Sequence, residues 1–482
     1  MSLRKKIKQD LQKDLDLNFD VSKLEDNKKV SPRNVKRGIF IGAISFVSVV
    51  VLAIVAIPVS IFIMTMDISY KPIKRSFSLH QARVVENNSF KSLNTIVYPD
   101  ANKETNILSG EERSAYLSYC NEIYQSMDMN SEKNTMFSPL TLYGFFMSSY
   151  GMISDENVKN AYNSLLGLDE TTRVNFYQKL FENNFNCYDN GIVELHNGAF
   201  IQDKGEGSIN NEYIDYLTSI YNEAFALNFK KNDDVNKMVD WVNKIMGDNS
   251  YLKKDDLYLQ DDTVFYLFST LYFNMKWQTE FRNTNSYKDN FYAEDGTNKV
   301  NFMKHRIYVD VYEYPDYVVV TDKYDHDYSV TYIVPKSLES DINELVDGIN
   351  IFNYDEAYLK HPSFVDLDVP TFNLKEGINF KKLISNLGLG IIFESENRTF
   401  NNLYNDNLDG EPIYLSLLRQ KNMISFTEEG TIIKSLNIAG GAEGVYYPTE
   451  GIQIKLNQPF IYIVRDQNNL PIYVGHMDNP LG

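Results

Sequence analysis

Cysteine and histidine are scarce in this chain of 482 residues. Its two cysteines, Cys120 and Cys187, cannot form a disulfide framework, so the fold must rest on its hydrophobic core. The six histidines are scattered, and no His-Glu-x-x-His zinc pair occurs. A Gly-x-Ser-x-Gly nucleophile motif and a Gly-x-x-x-x-Gly-Lys phosphate loop are also missing. We therefore predict no catalytic residue, no metal site and no cofactor.

Positive charge is scarce everywhere except at the N-terminus. The formal net charge is −18, and it combines +5 in residues 1–37 with −23 in the rest of the chain. A protein that binds nucleic acid needs a basic surface, so we expect no nucleic-acid partner. The length and the 43% hydrophobic content allow a large core, and we expect a monomer.

Residues 38–66 form a long run without any charged side chain. At ~1.5 Å per residue a helix of this length exceeds the ~30 Å hydrocarbon core of a bilayer, which predicts a transmembrane helix. A cleaved signal peptide is the alternative, but its apolar core would be shorter, and no Ala-x-Ala site follows.

Basic residues are more numerous before this run than after it, which favours a cytoplasmic N-terminus. The predicted organisation is a cytoplasmic tail (1–37), a single transmembrane helix (38–66), a polar extracellular stalk (67–108) and an extracellular domain (109–482) at the plasma membrane.

A small, polar, glycine-rich segment lies between strand-like runs near the C-terminus. Ile424 and Phe426 alternate with polar residues as in a half-buried strand, and the sequence Glu428-Glu-Gly-Thr431 then breaks the pattern. The following segment buries little apolar area, so we expect an exposed loop over about residues 428–450.

Three further segments carry recognisable patterns. In Asn134-Thr-Met-Phe-Ser-Pro-Leu-Thr141, Ser138 can cap a helix that begins at a proline. The run Phe265–Phe273 is continuously apolar, which indicates a strand buried on both faces, and it leads to Trp277. The chain closes with Pro459-Phe-Ile-Tyr-Ile-Val-Arg465 and Val474-Gly-His-Met-Asp-Asn-Pro480.

Together these segments resemble the serpins, in the family's order and over residues 109–482. The resemblance implies an α+β fold with three β-sheets, about eight or nine helices and an exposed reactive-centre loop. It also implies a suicide-substrate inhibitor of serine proteases, not an enzyme: a protease cuts the loop, and the freed arm inserts into the main sheet. An ordinary hairpin with a glycine-rich connection would explain the loop but not the other segments.

The resemblance assigns site residues in two groups. The reactive-loop hinge comprises Glu428, Glu429, Gly430, Thr431, Ile433 and Ser435. The sheet-opening region comprises Asn134, Ser138, Ser269, Trp277 and Gln420. On insertion, alternate residues would face the core, namely Thr431, Ile433, Ser435, Asn437 and Ala439.

Some positions depart from the family pattern. Ile432-Ile-Lys434 replaces a run of small residues, and Ser269 and Gln420 stand where an asparagine and a histidine are common. The alternative to an inhibitor is therefore a non-inhibitory serpin-fold protein whose loop acts as a binding surface.

The scissile bond is predicted less narrowly, because the loop is about four residues longer than usual. Counting from the hinge places the bond after Gly444, and counting back from Pro459 places it nearer Pro448. The candidates are Glu443, Gly444, Val445, Tyr446 and Tyr447. No Lys or Arg lies between Gly440 and Gln453, so the expected target is a chymotrypsin-, elastase- or subtilisin-like enzyme, or a cysteine protease, and not a trypsin-like one.

Overall fold

The computed structural model describes residues 91–101, 104–127, 134–188, 191–347, 349–353, 359–405, 410–433 and 451–482. The predicted tail, the membrane helix, residues 67–90 of the stalk, Ser435 and all five scissile-bond candidates lie outside these ranges. Among the described residues, no helix is both long enough and apolar enough to cross a membrane.

The described chain mixes helices and strands along its length, as an α+β fold requires. The α-helices are α1 (Gly110–Gln125), α2 (Pro139–Tyr150), α3 (Glu156–Leu166), α4 (Glu170–Asn183), α5 (Asn211–Ser219), α6 (Asn232–Met246), α7 (Ile342–Val346) and α8 (Lys381–Ile384). The strands are β1 (Lys91–Ser92), β2 (Thr135–Phe137), β3 (Phe185–Tyr188), β4 (Gly191–Gln202), β5 (Asn222–Leu227), β6 (Phe265–Lys276), β7 (Tyr287–Ala293), β8 (Gly296–Glu313), β9 (Tyr317–Lys323), β10 (Ser329–Pro335), β11 (Leu359–Pro370), β12 (Phe372–Asn379), β13 (Arg419–Thr427), β14 (Gly430–Ile433), β15 (Ile452–Lys455), β16 (Phe460–Arg465) and β17 (Pro471–Met477).

The first sheet has eight strands and carries the site. Its order is β1-β5-β4-β6-β14-β13-β12, with β3 paired to β4 outside this path. The predicted central strand is β6, which pairs with β4 from Phe265 to Met275. The short strand β14 follows the Glu-Glu turn and lies between β6 and β13.

The prediction of three sheets is corrected to two among the described residues. The second sheet has nine strands in the order β15-β11-β8-β9-β10-β16-β17-β2, with β7 paired to β8. One long strand causes the fusion, because β8 pairs with β7 and β11 and also, at Val311–Glu313, with β9. Two groups of strands thereby share one hydrogen-bonded ladder.

Helix α2 packs beneath the first sheet. Every residue of α2 is buried, from Pro139 to Tyr150. Its start follows the predicted chemistry, since the Ser138 hydroxyl accepts a hydrogen bond from the Thr141 amide at 3.2 Å and Pro139 occupies the first turn. The helix thus forms a floor under β6, and Gln420 of β13 binds its start.

Part of the predicted stalk contributes to the folded domain. Lys91 and Ser92 form β1 and pair with β5 at the edge of the first sheet. The Asn94 amide donates to the Asn222 carbonyl at 2.9 Å, and Tyr98 stacks on Phe185 at a centroid distance of 5.1 Å. The folded region therefore includes residues N-terminal to position 109.

Candidate functional site at the opening of the first sheet

The hinge is a two-residue turn that returns the chain to the sheet. Thr427 and Gly430 are paired, and Glu428 and Glu429 join them. The Glu428 carboxylate accepts a hydrogen bond from the Ser286 hydroxyl at 2.8 Å. Burial and the neighbouring Glu428 raise the pKa of Glu429 above its ordinary value. The sequence predicted an exposed loop from this point, whereas β14 lies inside the sheet.

Gly430 is required because the backbones approach closely. A Cβ atom at this position would lie 2.3 Å from the Met275 carbonyl oxygen of β6. Only glycine lets β14 pair with β6 at this distance. The predicted role of Gly430 in the hinge therefore has a direct steric cause.

Thr431 sits in a buried aromatic pocket. Its side chain is 0% exposed, and its hydroxyl accepts a hydrogen bond from the Tyr324 hydroxyl. Tyr324 stacks on Trp277 at a centroid distance of 4.4 Å, and the Trp277 indole donates to the Thr427 carbonyl at 2.8 Å. We call Trp277, Tyr324 and Phe426 the hinge pocket, because Trp277 contacts both other rings and Tyr324 binds Thr431.

Below the hinge, the described part of the first sheet is open between β6 and β13. Strand β14 pairs with β6 only at residues 273–276 and with β13 only at residues 425–427. Among the described residues, β6 and β13 are not paired with each other anywhere. A cleft of about 1260 Å³ separates them and is lined by residues 265–271 on one side and 418–423 on the other. We call this cleft the sheet gap.

One wall of the sheet gap is tied to the floor by Gln420. Its side-chain oxygen accepts from the Ser138 amide at 2.7 Å, and its amide nitrogen donates to the Ser138 carbonyl and the Thr141 hydroxyl at 3.1 and 2.8 Å. The predicted pair Ser138 and Gln420 is therefore in direct contact. A glutamine here anchors β13 to the start of α2.

The opposite wall carries Ser269, whose hydroxyl oxygen is buried. Within the described chain this oxygen has no hydrogen-bond partner. Tyr473 of β17 also lines the gap, and its hydroxyl is likewise buried and without a partner among the described residues. Buried polar groups without partners cost free energy, so both positions favour an additional polar group in the gap.

A segment after α6 crosses the outside of the gap and binds β13. Asp256 pairs with Lys421 at 3.1 Å, and the Tyr251 hydroxyl donates to the Lys421 carbonyl at 2.6 Å. The Arg419 guanidinium lies 4.4 Å from the Tyr258 ring centroid. We call residues 248–260 the strap. These contacts join the strap to β13.

Asn134, the remaining predicted site residue, lies elsewhere. Its side chain accepts from the Asp478 and Asn479 amides at 2.8 and 2.9 Å, and donates to the Asn479 carbonyl at 2.7 Å. It therefore secures the C-terminal segment and does not line the gap. Tyr324 and the strap residues were missed, because nothing in their local sequence distinguishes them from other tyrosines and charged residues.

A family model described as "Serpin (serine protease inhibitor)" matches residues 114–480. The chain belongs to the serpin family. This membership supports a protease inhibitor and not a catalytic enzyme. Within the described ranges, no group of three His, Cys, Asp or Glu residues is arranged to hold a metal ion.

Relatives with known names are distant but extend over most of this serpin. Alpha-1-antiproteinase of Mus saxicola is 24% identical over 76% of this chain and 87% of its own length. Serpin B7 of Homo sapiens is 21% identical, over 76% of this chain and 99% of its own length. Among solved structures, the thermophilic serpin tengpin in its native state matches with a TM-score of 0.67 and 19% identity, over 81% of this chain and 100% of that one. The structural likeness supports the serpin fold.

Proposed function

We propose that this serpin inhibits serine-type endopeptidases by inserting its cleaved loop into the sheet gap. One observation carries the proposal: the hinge is already a strand between β6 and β13, and directly below it the sheet gap separates these strands, with no described strand between them. A strand that continues β14 would find unpaired backbone on both sides. The backbone ladder would then be completed on both walls.

The length of the gap fits an arm cut at the predicted bond. Ile433 pairs with Phe273, so each further residue of the arm would meet the preceding residue of β6. Residues 434–441 would pair with residues 272–265. The lining extends beyond the start of β6 to Gln260, so a few further residues of the arm would also lie in the gap. An arm that ends near Gly444 would fill the gap.

The chemistry proceeds through the protease. Its nucleophile attacks the scissile carbonyl of the loop, the new N-terminus departs as an amine, and an ester or thioester joins the arm to the enzyme. Insertion then moves the attached protease away from its docking position before water hydrolyses that bond. The hinge pocket favours this order, because Thr431 is seated before cleavage.

Loop cleavage followed by melting tests insertion. We expect elastase or subtilisin to cut the loop of the full-length protein and to raise its melting temperature by at least about 15 °C. About eight new residues in the ladder, at ~1 kcal/mol each and ~2 °C per kcal/mol, give this size. An unchanged melting temperature would favour the alternative, a non-inhibitory serpin with a binding loop.

A second measurement identifies the class of target. Intact protein is mixed with chymotrypsin-, elastase- and subtilisin-like enzymes and with a cysteine protease, and adducts that resist denaturant are sought. An adduct with a trypsin-like enzyme would contradict the predicted loop specificity, because no Lys or Arg lies between Gly440 and Gln453.

We also propose that residues 38–66 anchor the protein in the plasma membrane with the serpin domain outside. The support is the uncharged run itself and the excess of basic residues before it. Intact cells treated with protease should lose the serpin domain while retaining a protected N-terminal fragment. Recovery of the whole chain in the soluble fraction would contradict the anchor.

A further inference from the structure

A serine, a histidine and a glutamate lie together on the second sheet, and none of them lines the sheet gap. His361 and Ser363 are alternate residues of β11, so their side chains project from the same face of that strand. Glu313 ends the neighbouring strand β8 and pairs with Leu359, which places it on this face as well. The three side chains converge although 48 positions of the chain separate Glu313 from His361.

Hydrogen bonds link the three side chains in series. The Ser363 hydroxyl lies 2.7 Å from His361 Nδ1, and His361 Nε2 lies 3.0 Å from one oxygen of the Glu313 carboxylate. The other oxygen of Glu313 accepts a hydrogen bond from the Lys336 ammonium at 3.0 Å. A serine beside a histidine that a carboxylate orients is the arrangement that makes a serine hydroxyl nucleophilic.

The environment of Glu313 determines which nitrogen of His361 carries the proton. Hydrogen bonds from His361 and Lys336 lower the pKa of Glu313, so its carboxylate is ionised at neutral pH and can only accept. His361 Nε2 must therefore donate to it. In the neutral imidazole the other nitrogen, Nδ1, then has a free lone pair. The Ser363 hydroxyl consequently donates to Nδ1, the nitrogen that would take its proton during an attack.

The site is accessible to small molecules and partly shielded from water. The side chains of His361 and Glu313 are 27% and 30% exposed. Val309 of β8 pairs with Ser363 and is partly buried against the core, so it offers an apolar contact beside the hydroxyl. A small neutral reagent could therefore reach the serine oxygen and rest its apolar part on the valine.

We propose that Ser363 is an activated nucleophile and that activated esters acylate it. The Ser363 oxygen attacks the carbonyl carbon while His361 Nδ1 takes the hydroxyl proton. The bond from that carbon to the leaving oxygen then breaks, and His361 passes the proton to the departing alcohol. The product is an ester on Ser363. His361 is the general base, and Glu313 is a positioning residue that holds the imidazole in the required tautomer.

Acetylation of the full-length protein by 4-nitrophenyl acetate tests the proposal. Peptide mass spectrometry follows the acetyl group at each serine over time. Ser363 should be acetylated at least about a hundredfold faster than Ser337, an exposed serine that binds the Glu339 amide. Equal rates at the two serines of the wild-type protein would overturn the proposal without any variant. His361→Gln cannot take the proton, and it should slow Ser363 about a hundredfold while Ser337 reacts as before.

Glu313→Gln tests the positioning role separately. Its side-chain oxygen should face Lys336, which can only donate, so its amide group should face His361. Nε2 would then accept, Nδ1 would carry the proton, and Ser363 would lose its base. We expect acetylation of Ser363 to be at least tenfold slower, and nitrogen NMR of labelled histidine to show the His361 proton moved from Nε2 to Nδ1. An unchanged rate in this variant would exclude the role given to Glu313.

Discussion

Asp466 is a carboxyl group almost fully removed from water. It is 1% exposed and accepts hydrogen bonds from the Asn468 and Leu470 amides, both at 2.9 Å. Burial nevertheless dominates and raises the pKa of Asp466 to about 6. An unfolded chain releases this proton near pH ~3.9. Between those values only the folded protein holds the proton, so this group stabilises the fold most at low pH.

We therefore expect the contribution of Asp466 to stability to fall as pH rises from about 4 to about 6, by ~1.4 kcal/mol per pH unit at most. Denaturant unfolding at several pH values measures this contribution as the difference in free energy of unfolding between wild type and Asp466→Asn. Asp366 is the control of opposite sign, because Arg306 lowers its pKa and its contribution is lost on acidification. A difference between wild type and Asp466→Asn that stays constant from pH 4 to 6 would contradict the assignment.

Thr431 allows a direct test of the hinge pocket. A glutamate there would place a carboxylate in a site that is 0% exposed, which is costly, so the hinge should leave the pocket. We expect Thr431→Glu to be cut by the protease as wild type is, but to give at least tenfold less denaturant-resistant adduct. Gel electrophoresis of the reaction measures both products.

Ile452→Glu is the matched control, since Ile452 lies just beyond the loop and is 37% exposed. It should retain the wild-type proportion of adduct. Thr431→Ser keeps the hydroxyl that binds Tyr324, and it should also give the wild-type proportion of adduct. Full inhibition by Thr431→Glu would show that the hinge pocket has no part in insertion.

Individual site residues were predicted unevenly from the sequence. The resemblance located Gly430, Thr431 and Ser269, because each belongs to a motif whose residue type has a steric or polar cause. Tyr324 could not be found this way, since its role depends on a contact with Thr431 across 107 positions of the chain. Asn134 was assigned to the opening, but its contacts with residues 478 and 479 are visible only in three dimensions.

Among the described elements, we expect the strap to oppose the proposed insertion. It binds β13 through the pairs Asp256–Lys421 and Tyr258–Arg419 and through the Tyr251 hydroxyl. The ion pair is half exposed, so it contributes at most ~1 kcal/mol. A strand that enters the gap beneath the strap must break these contacts. They should therefore slow insertion without contributing to the stability of the completed sheet.

We expect the double variant Lys421→Ala, Tyr251→Phe to insert its loop about five to ten times faster after cleavage, with a melting temperature of the uncut protein within a few degrees of wild type. Stopped-flow fluorescence of a label at the loop measures the rate. Lys336→Ala removes a comparable exposed ion pair with Glu313 outside the gap and should leave the rate unchanged. An equal or slower rate in the double variant would exclude the strap as a barrier.

Sequence patterns predicted the elements better than their connections. Phe265–Phe273 was correctly predicted to be a central strand, but its predicted burial on both faces holds only for residues 271–273, because residues 265–270 line the sheet gap and are half-buried. The fusion of two sheets through β8 was not predictable, since periodicity in an 18-residue strand does not show where its partners change. The return of the chain as β14 was also missed, because Gly430 fits a turn away from the sheet as well as a close approach to Met275.

For the molecule as a whole, the first sheet is an incomplete ladder held between two rigid units. On one side, β1, β5, β4 and β6 are paired without interruption, and on the other β13 is paired with β12. Only the short strand β14 joins the halves among the described residues. Below β14, no described strand pairs with the gap-side edges of β6 and β13, and completing the ladder would stabilise both halves at once.

Hydrogen exchange before and after loop cleavage tests this description directly. Gap-side amides of residues 265–272 in β6 and 419–424 in β13 should exchange quickly in the uncut protein, and at least about a hundredfold more slowly after cleavage, because they gain strand partners. Amides in the β4–β5 pairing, already complete from Asn197 to Gln202, provide the internal control and should change little. Exchange that slows evenly over the whole protein would indicate a global increase in stability and not a new strand in the gap. Unchanged exchange at the gap edges would mean that the arm had not entered the sheet.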